Sequence, residues 1–144
     1  MVDMSNLPAI ASDLLQLRLV AVTYSAEVTN LYEFRHPAGE SLPGFTAGAH
    51  VDLHLPGGLI RQYSLANSQD ETGRYVLGIK REPAGRGGSA WIHDELRVGT
   101  ILPVGRPRNH FPLVEDRSPV VLIAGGIGVT PLHSMVQRLR TLGS

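Results

Sequence analysis

Residues 50–66 read "HVDLHLPGGLIRQYSLA". Val51, Leu53 and Leu55 alternate with His50, Asp52 and His54, the two-residue period of a strand with one buried face. A Pro-Gly-Gly turn separates this segment from a second extended one, "LIRQYSLA". The same texture continues outward in both directions. "LLQLRLVAVTY" (14–24) sets Leu15, Leu17, Leu19 and Ala21 on one side, while "VTNLYEFRH" (28–36), "RYVLGIKRE" (74–82) and "GTILPVGRP" (99–107) supply three more strands. Between them lie "PAGESLPGFTAG", "NSQDETG" and other turns rich in Gly, Pro, Asp and Ser. Six short strands within about 90 residues predict a closed antiparallel barrel or sandwich, a mostly β fold.

Two segments depart from this pattern. "GGSAWIHDELRVG" (87–99) predicts one capping helix, with Ser89 as N-cap, Trp91, Ile92 and Leu96 near helical spacing and Gly99 as its stop. "PVVLIAGGIGVTPLHSM" (119–135) begins with a continuous apolar run, as in a strand buried on both faces. It continues into a helix with Pro131 in the first turn. The expected division is an N-terminal arm at 1–13, a barrel at 14–116 and a single strand-helix unit at 117–144.

Composition narrows the function classes. Thirteen basic and thirteen acidic residues give no net charge, which argues against a sequence-independent grip on nucleic acid or on an anionic membrane. Residues 1–60 hold Arg18 and Arg35 against six acids, leaving eleven basic residues against seven in 61–144, an asymmetry that suits an anionic ligand in the second half. The chain contains no cysteine, so neither a disulfide nor a thiolate-ligated metal or iron–sulfur site is built from its own residues. No apolar run reaches membrane-spanning length, and a cytoplasmic protein is expected.

Three constellations invite a chemical reading. In an extended "RQYS", Arg61 and Tyr63 share a face about 7 Å apart, offering a cation beside an aromatic plate, with the Ser64 hydroxyl adjacent. Such a set fits a ligand with a phosphate at one end and a flat ring at the other, although Arg and Tyr on a strand are also ordinary surface and core residues. "GRGGS" (85–89) lets backbone amides approach a phosphate at a helix start, or is a flexible turn with Ser89 as cap. In "HVDLH", His50 and His54 lie about 13 Å apart along a strand, too far to chelate one ion; a solvated face is the simpler reading. His93, His110 and His133 have no spacing that suggests a site.

"RQYSL", "YVLGIKRE", "GRGGSAWIHDEL", "PRNHFPL" and "LIAGGIGVTPLHSM", in this order, resemble the ferredoxin–NADP reductase-like flavoproteins. The similarity is greatest to the reductase components of the phthalate dioxygenase and vanillate O-demethylase type. The resemblance implies a six-stranded antiparallel Greek-key flavin-binding barrel followed by an α/β nicotinamide domain and a [2Fe–2S] domain. In such a protein NADH reduces the flavin, which passes electrons to the iron–sulfur centre and on to an aromatic-ring oxygenase or O-demethylase. Carried onto this sequence, Arg61 would hold the flavin phosphate, Tyr63 would pack on the isoalloxazine and Ser64 would bond near its N5. Gly78, Ile79 and Lys80 would meet the ring edge and ribityl chain through backbone groups, Gly87, Gly88 and Ser89 would cradle the phosphate, and Thr130 would lie where the nicotinamide arrives. The loop "SQDETG" lacks the aromatic side chain on which FAD commonly rests its adenine, so FMN is expected.

Residues 117–144 form just one βα unit, "GGIGVTP" lacks the full G-x-G-x-x-G spacing, and the iron–sulfur cysteines are absent. The segment is expected to be the truncated start of a nicotinamide-binding domain, with NADH and [2Fe–2S] belonging to a parent protein and with possible self-association through 117–144. The competing expectation is a non-catalytic barrel that keeps the scaffold and uses its last helix for association.

Overall fold

A computed structural model describes residues 13–143; the expected arm, apart from Asp13, lies outside the described residues. Six strands form one antiparallel sheet: β1 (Leu15–Ala26), β2 (Thr29–Arg35), β3 (His50–Leu55), β4 (Leu59–Ser64), β5 (Tyr75–Lys80) and β6 (Ile101–Val104). β2 to β6 fall within segments predicted to be extended, and β1 runs two residues past its predicted segment, to Ala26. The order is β4-β3-β6-β1-β2-β5, with β6 returning from late in the chain to lie between β1 and β3. Leu17, Leu19, Tyr32, Phe34, Val51, Leu53, Leu77 and Ile79 project into one core. Burying a side chain of this size contributes about 1.5–3 kcal/mol relative to leaving it exposed.

The predicted alternation in β1 holds through Leu17 and Leu19 and then slips. A register shift between Leu19 and Ala21 leaves Val20 and Ala21 both half-buried, because an inserted residue exchanges the two faces of a strand. His50 also departs from the expected solvated face, being only 7% exposed. It opens β3, exchanges backbone hydrogen bonds with Arg108, and lies beneath the His110 ring at 5.1 Å. Asp52, on the same strand, pairs with Arg108 at 2.6 Å. No cluster that could hold a metal ion occurs among the described residues.

The barrel is not closed by a ladder. Strands β4 and β5 stand at opposite ends of the sheet order. No ladder joins them; their hydrogen-bonded connection lies past Ser64, where Leu65 and Leu77 form an isolated bridge and the Ala66 N–H donates to the Val76 carbonyl at 2.8 Å. Alongside β4 the chain places helix α1 (Gly88–Asp94) instead of a strand. Ile92 of this helix is fully buried in the barrel core.

Helix α1 begins at Gly88, with Gly87 in a left-handed conformation (φ 86°) at the N-cap position, and ends at Asp94 with Glu95 as its C-cap. Ser89 is therefore inside the first turn and not the cap, and the helix stops before Gly99. The Ser89 Oγ accepts the Glu82 backbone N–H at 3.0 Å, tying the helix to the loop that follows β5.

Helix α2 (Val129–Leu142) ends on Gly143 in the left-handed conformation. Its Leu132 and Met135 pack on Ala47 beside Leu113 and Leu122. The expected strand "VVLIAG" (120–125) does not form: the segment pairs with no strand, and Val121 and Ile123 are 82% and 85% exposed. An apolar strand of a parallel sheet takes its hydrogen bonds from neighbouring strands and its cover from flanking helices, and no parallel partner lies beside it among the described residues. No helix among the described residues is long and apolar enough to cross a membrane.

Burial and the nearby Arg108 and His110 hold the His50 imidazole below its ordinary pKa. Folding thus favours the neutral form, so this contribution is full above the unfolded value of about 6.5 and is lost as pH falls through the folded value. In Glu33 burial is outweighed by the combined hydrogen bonds and charges of Arg35 and Arg74, and in Glu71 the Arg74 hydrogen bond dominates, so both carboxyls lie below 4.5 and their contributions fade only in more acid solution. Urea unfolding midpoints are expected to fall between about pH 7 and pH 5, and His50→Asn should remove most of that slope; an undiminished slope in the variant would exclude this assignment.

Candidate functional site

The gap left between β4 and β5 is the mouth of a cavity of about 420 Å³. One wall is β4, with Arg61, Gln62, Tyr63 and Ser64; another is β5, with Gly78 and Lys80. Glu82, Gly85 and Arg86 from the following loop, Gly88 and Ser89 from α1, and Ile127, Gly128, Thr130 and Pro131 from the start of α2 complete it. Eight of the ten residues singled out in the sequence, Arg61, Tyr63, Ser64, Gly78, Lys80, Gly88, Ser89 and Thr130, therefore converge on one space.

The other two sit behind it. Ile79 is fully buried, with its side chain in the core, and its carbonyl accepts a hydrogen bond from His93 Nε2 at 2.8 Å. Gly87 stands one position outside α1, where it sets the left-handed entry to the helix.

Two contacts explain why glycine occupies two of the lining positions. A Cβ on Gly88 would lie 2.5 Å from both Cγ and Nε of Arg61, so the bare glycine lets the arginine stem cross the first turn of α1 in this conformation. The guanidinium then donates to the Arg86 carbonyl at 2.9 Å and to the Ile60 carbonyl at 2.8 Å. A Cβ on Gly78 would lie 2.6 Å from Cγ2 of Thr130, so the bare backbone of β5 is what admits the N-terminus of α2. The Thr130 hydroxyl donates to the Ile127 carbonyl at 3.0 Å.

The electrostatics are mixed. Arg61, Lys80 and Arg86 bring positive charge, and Glu82 pairs with Lys80 at 3.4 Å. Burial raises the Tyr63 phenol above its ordinary pKa against the opposing influence of Arg61, so the ring stays neutral at physiological pH. With seven residues, α1 adds little dipole of its own; the charge facing an anion is chiefly the arginines'. Cationic, aromatic, hydroxyl and bare-backbone surfaces thus face one space, a donor set that fits a planar ring carrying a phosphate.

Gln62, Glu82, Ile127, Gly128 and Pro131 carry no site signal in the sequence, whereas Gly85 and Arg86 lie in the "GRGGS" segment that does. Gln62 points away from its neighbours Arg61 and Tyr63 in an alternating strand, yet it borders an open edge. The proximity of Ile127 and Gly128 to β5 depends on the docking of α2, for which no local signal exists.

The family described as oxidoreductase FAD-binding domain matches residues 16–112. The chain belongs to this family. Among curated relatives, phenoxybenzoate dioxygenase subunit beta of Ectopseudomonas oleovorans is 54% identical over 128 residues, 89% of this chain and 40% of that protein. Vanillate O-demethylase oxidoreductase of a Pseudomonas species is 51% identical over 107 residues, 74% of this chain and 34% of that protein. The solved structure of phthalate dioxygenase reductase, described as modular for electron transfer from pyridine nucleotides to [2Fe–2S], matches with a TM-score of 0.89 at 39% identity. That match covers 93% of this chain and 42% of that one. The chain spans about two fifths of the length of the first of these relatives. The FAD-binding domain assignment accounts for the six-stranded sheet and for the order of the motifs within it, as the resemblance implies.

The Gly78–Thr130 contact yields a direct test of how this FAD-binding-type domain holds α2. Gly78→Ala should destabilise the protein by about 1–3 kcal/mol through overpacking, and adding Thr130→Ser, which deletes Cγ2, should recover most of the loss in urea unfolding. Additive losses in the double variant would place the strain elsewhere.

Proposed function

We propose that this chain binds FMN in the cavity between β4 and β5 and serves as the flavin domain of a cytoplasmic, NADH-dependent reductase that supplies electrons to an oxygenase. The observation that carries the reading is the convergence of Arg61, Tyr63, Ser64, Gly78 and Thr130 on one cavity. The rims of that cavity are set by two close contacts, Arg61 on Gly88 and Thr130 on Gly78.

In this reading Arg61, with backbone groups of Gly87 and Gly88 and the hydroxyl of Ser89, holds the phosphate. Because the Ser89 oxygen already accepts from the Glu82 N–H, its own proton is free to be donated to an anion. Tyr63 presents its neutral ring to the isoalloxazine, and Ser64 offers a hydroxyl that donates or accepts at a ring nitrogen. The backbone of Gly78, Ile79 and Lys80 runs along the polar edge of the ring, while Thr130 and the turn before α2 limit access from the nicotinamide side. Flavin, when bound, supplies the capacity to accept a hydride and release electrons one at a time; the protein's part is binding, orientation and exclusion of water.

FMN is favoured over FAD by the connection between β4 and β5. It holds no aromatic residue on which an adenine could stack, and several of its polar groups are already paired within the protein. The Asn67 side-chain amide donates to the Arg74 carbonyl at 3.0 Å and its oxygen accepts from the Val76 N–H at 3.0 Å, while Arg74 is ion-paired with Glu71 and Glu33. A [2Fe–2S] centre and an aromatic-ring oxygenase or O-demethylase as downstream partners, and a pyridine nucleotide as the reductant, are supported by the relatives' descriptions; NADH is the nucleotide we assign. In this reading the [2Fe–2S] centre and the nicotinamide site sit in further domains, as in the modular phthalate dioxygenase reductase, and the oxygenase is a separate partner.

Titration of the purified chain with FMN, FAD and riboflavin, followed by flavin fluorescence and visible absorption, tests the reading. FMN should bind at micromolar concentration or tighter and FAD more weakly. Arg61→Ala should weaken FMN by about tenfold or more, the loss of a charge-assisted hydrogen bond, while changing riboflavin little. Failure to bind any flavin at high micromolar concentration, or equal losses for FMN and riboflavin, would overturn it.

A further inference from the structure

Helix α1 has seven residues, too few to hold a position by its own hydrogen bonds. Its placement against the sheet is therefore set by tertiary links. Beyond the buried Ile92, three polar links reach it from β5 and the residues just after. Asp94 pairs with Arg81 through two contacts of 3.1 and 2.8 Å, but the carboxylate side chain is half exposed, and exposed pairs are weak. Ser89 accepts the Glu82 N–H from a loop that is itself largely exposed. The third link differs in kind. His93 Nε2 donates to the Ile79 carbonyl at 2.8 Å from a partly buried position, and its ring stands edge-on to the buried Tyr32 with centroids 5.7 Å apart.

Ile79 lies between Gly78 and Lys80, both of which line the cavity, and His93 lies on the helix that supplies Gly88 and Ser89 to the same cavity. One hydrogen bond thus spans from the β5 wall to the α1 wall. Because a carbonyl can only accept, the bond also requires the Nε2-protonated form of the ring.

We propose that His93 is a positioning residue for the flavin site: its bond to Ile79 sets the separation between the β5 wall, which takes the ring, and the α1 wall, which takes the phosphate. The inference rests on the FMN reading above. A ligand that engages both walls depends on their separation, whereas one that engages the β5 wall alone does not. His93 does not line the cavity, so its effect appears only in ligands that bridge the two walls.

The test compares His93→Asn, whose amide is too short to reach the Ile79 carbonyl, with His93→Gln, whose longer amide can donate to it. Affinities for FMN and riboflavin are measured by fluorescence titration on the full chain, and apo stability by thermal unfolding. His93→Asn should weaken FMN by about tenfold, the scale of one buried hydrogen bond, with riboflavin affinity within about twofold. His93→Gln should recover FMN binding to within about threefold of the wild type. Asp94→Asn, which breaks the exposed pair, should leave both affinities within about twofold. Equal losses for the two flavins in His93→Asn, unchanged FMN affinity, or no rescue by Gln would each overturn the proposal while leaving the flavin reading intact. If the wild-type chain binds neither flavin, the reading on which the proposal rests falls first, and that outcome is distinct from any change among the variants.

Discussion

Strands β4 and β5 carry adjacent stretches of the chain and face one another across the barrel, yet no ladder joins them and their hydrogen-bonded connection lies at the Leu65–Leu77 bridge. Everything chemically distinctive about this domain follows from that incomplete closure. A fully laddered barrel of six strands would have filled the space with backbone hydrogen bonds and side chains, leaving no opening between Tyr63 and Gly78. Here the core is complete behind the gap, where Leu65, Leu77 and Ile79 are fully buried. The gap itself exposes strand edges that a ligand can use in place of a neighbouring strand, since edge N–H and C=O groups lack ladder partners.

Such an opening needs walls that do not collapse into it. Helix α1 provides one, anchored by Ile92 in the core and tied to β5 and the residues after it at Ser89, His93 and Asp94. Helix α2 provides another, since Leu132 and Met135 pack on Ala47 while His133 and Gln137 reach the Ala66 carbonyl at 2.9 and 3.1 Å. Both helices present their first turns to the cavity, and at both the approach in this conformation is close enough to require glycine opposite: Gly88 beneath Arg61 and Gly78 beneath Thr130. The two glycines are thus contact requirements, and neither has the positive φ that usually explains a glycine.

Much of this architecture was legible in the residues. Period-two alternation located all six strands because half-burial of a strand is a local property, written into every second side chain. It misjudged Ala21, where a bulge interrupts the period, and His50, whose burial comes from residues 58 and 60 positions later, Arg108 and His110. The helix at 88–94 was legible from Trp91, Ile92 and Leu96, but its cap was not. Ser89 has the chemistry of a cap, but the cap position falls on the left-handed Gly87 and the helix starts two residues earlier. The run "VVLIAG" reads as a buried strand because its composition is that of one; a strand, however, is a relation between segments, and none of the described residues pairs with this one.

The sequence by itself determined which segments extend, which turn and which residue types could meet a phosphate and a flat ring, since these depend on period, composition and the chemistry of single side chains. Tertiary structure alone decided that "RQYS", "LGIK", "GGS" and the turn before Thr130 share one cavity, that the barrel stays open there, and that Ile79 turns its side chain into the core while its carbonyl holds His93. The physical reason is that proximity between distant segments is set by packing of the whole core. No local pattern encodes the distance between two walls that approach each other only after the sheet has folded.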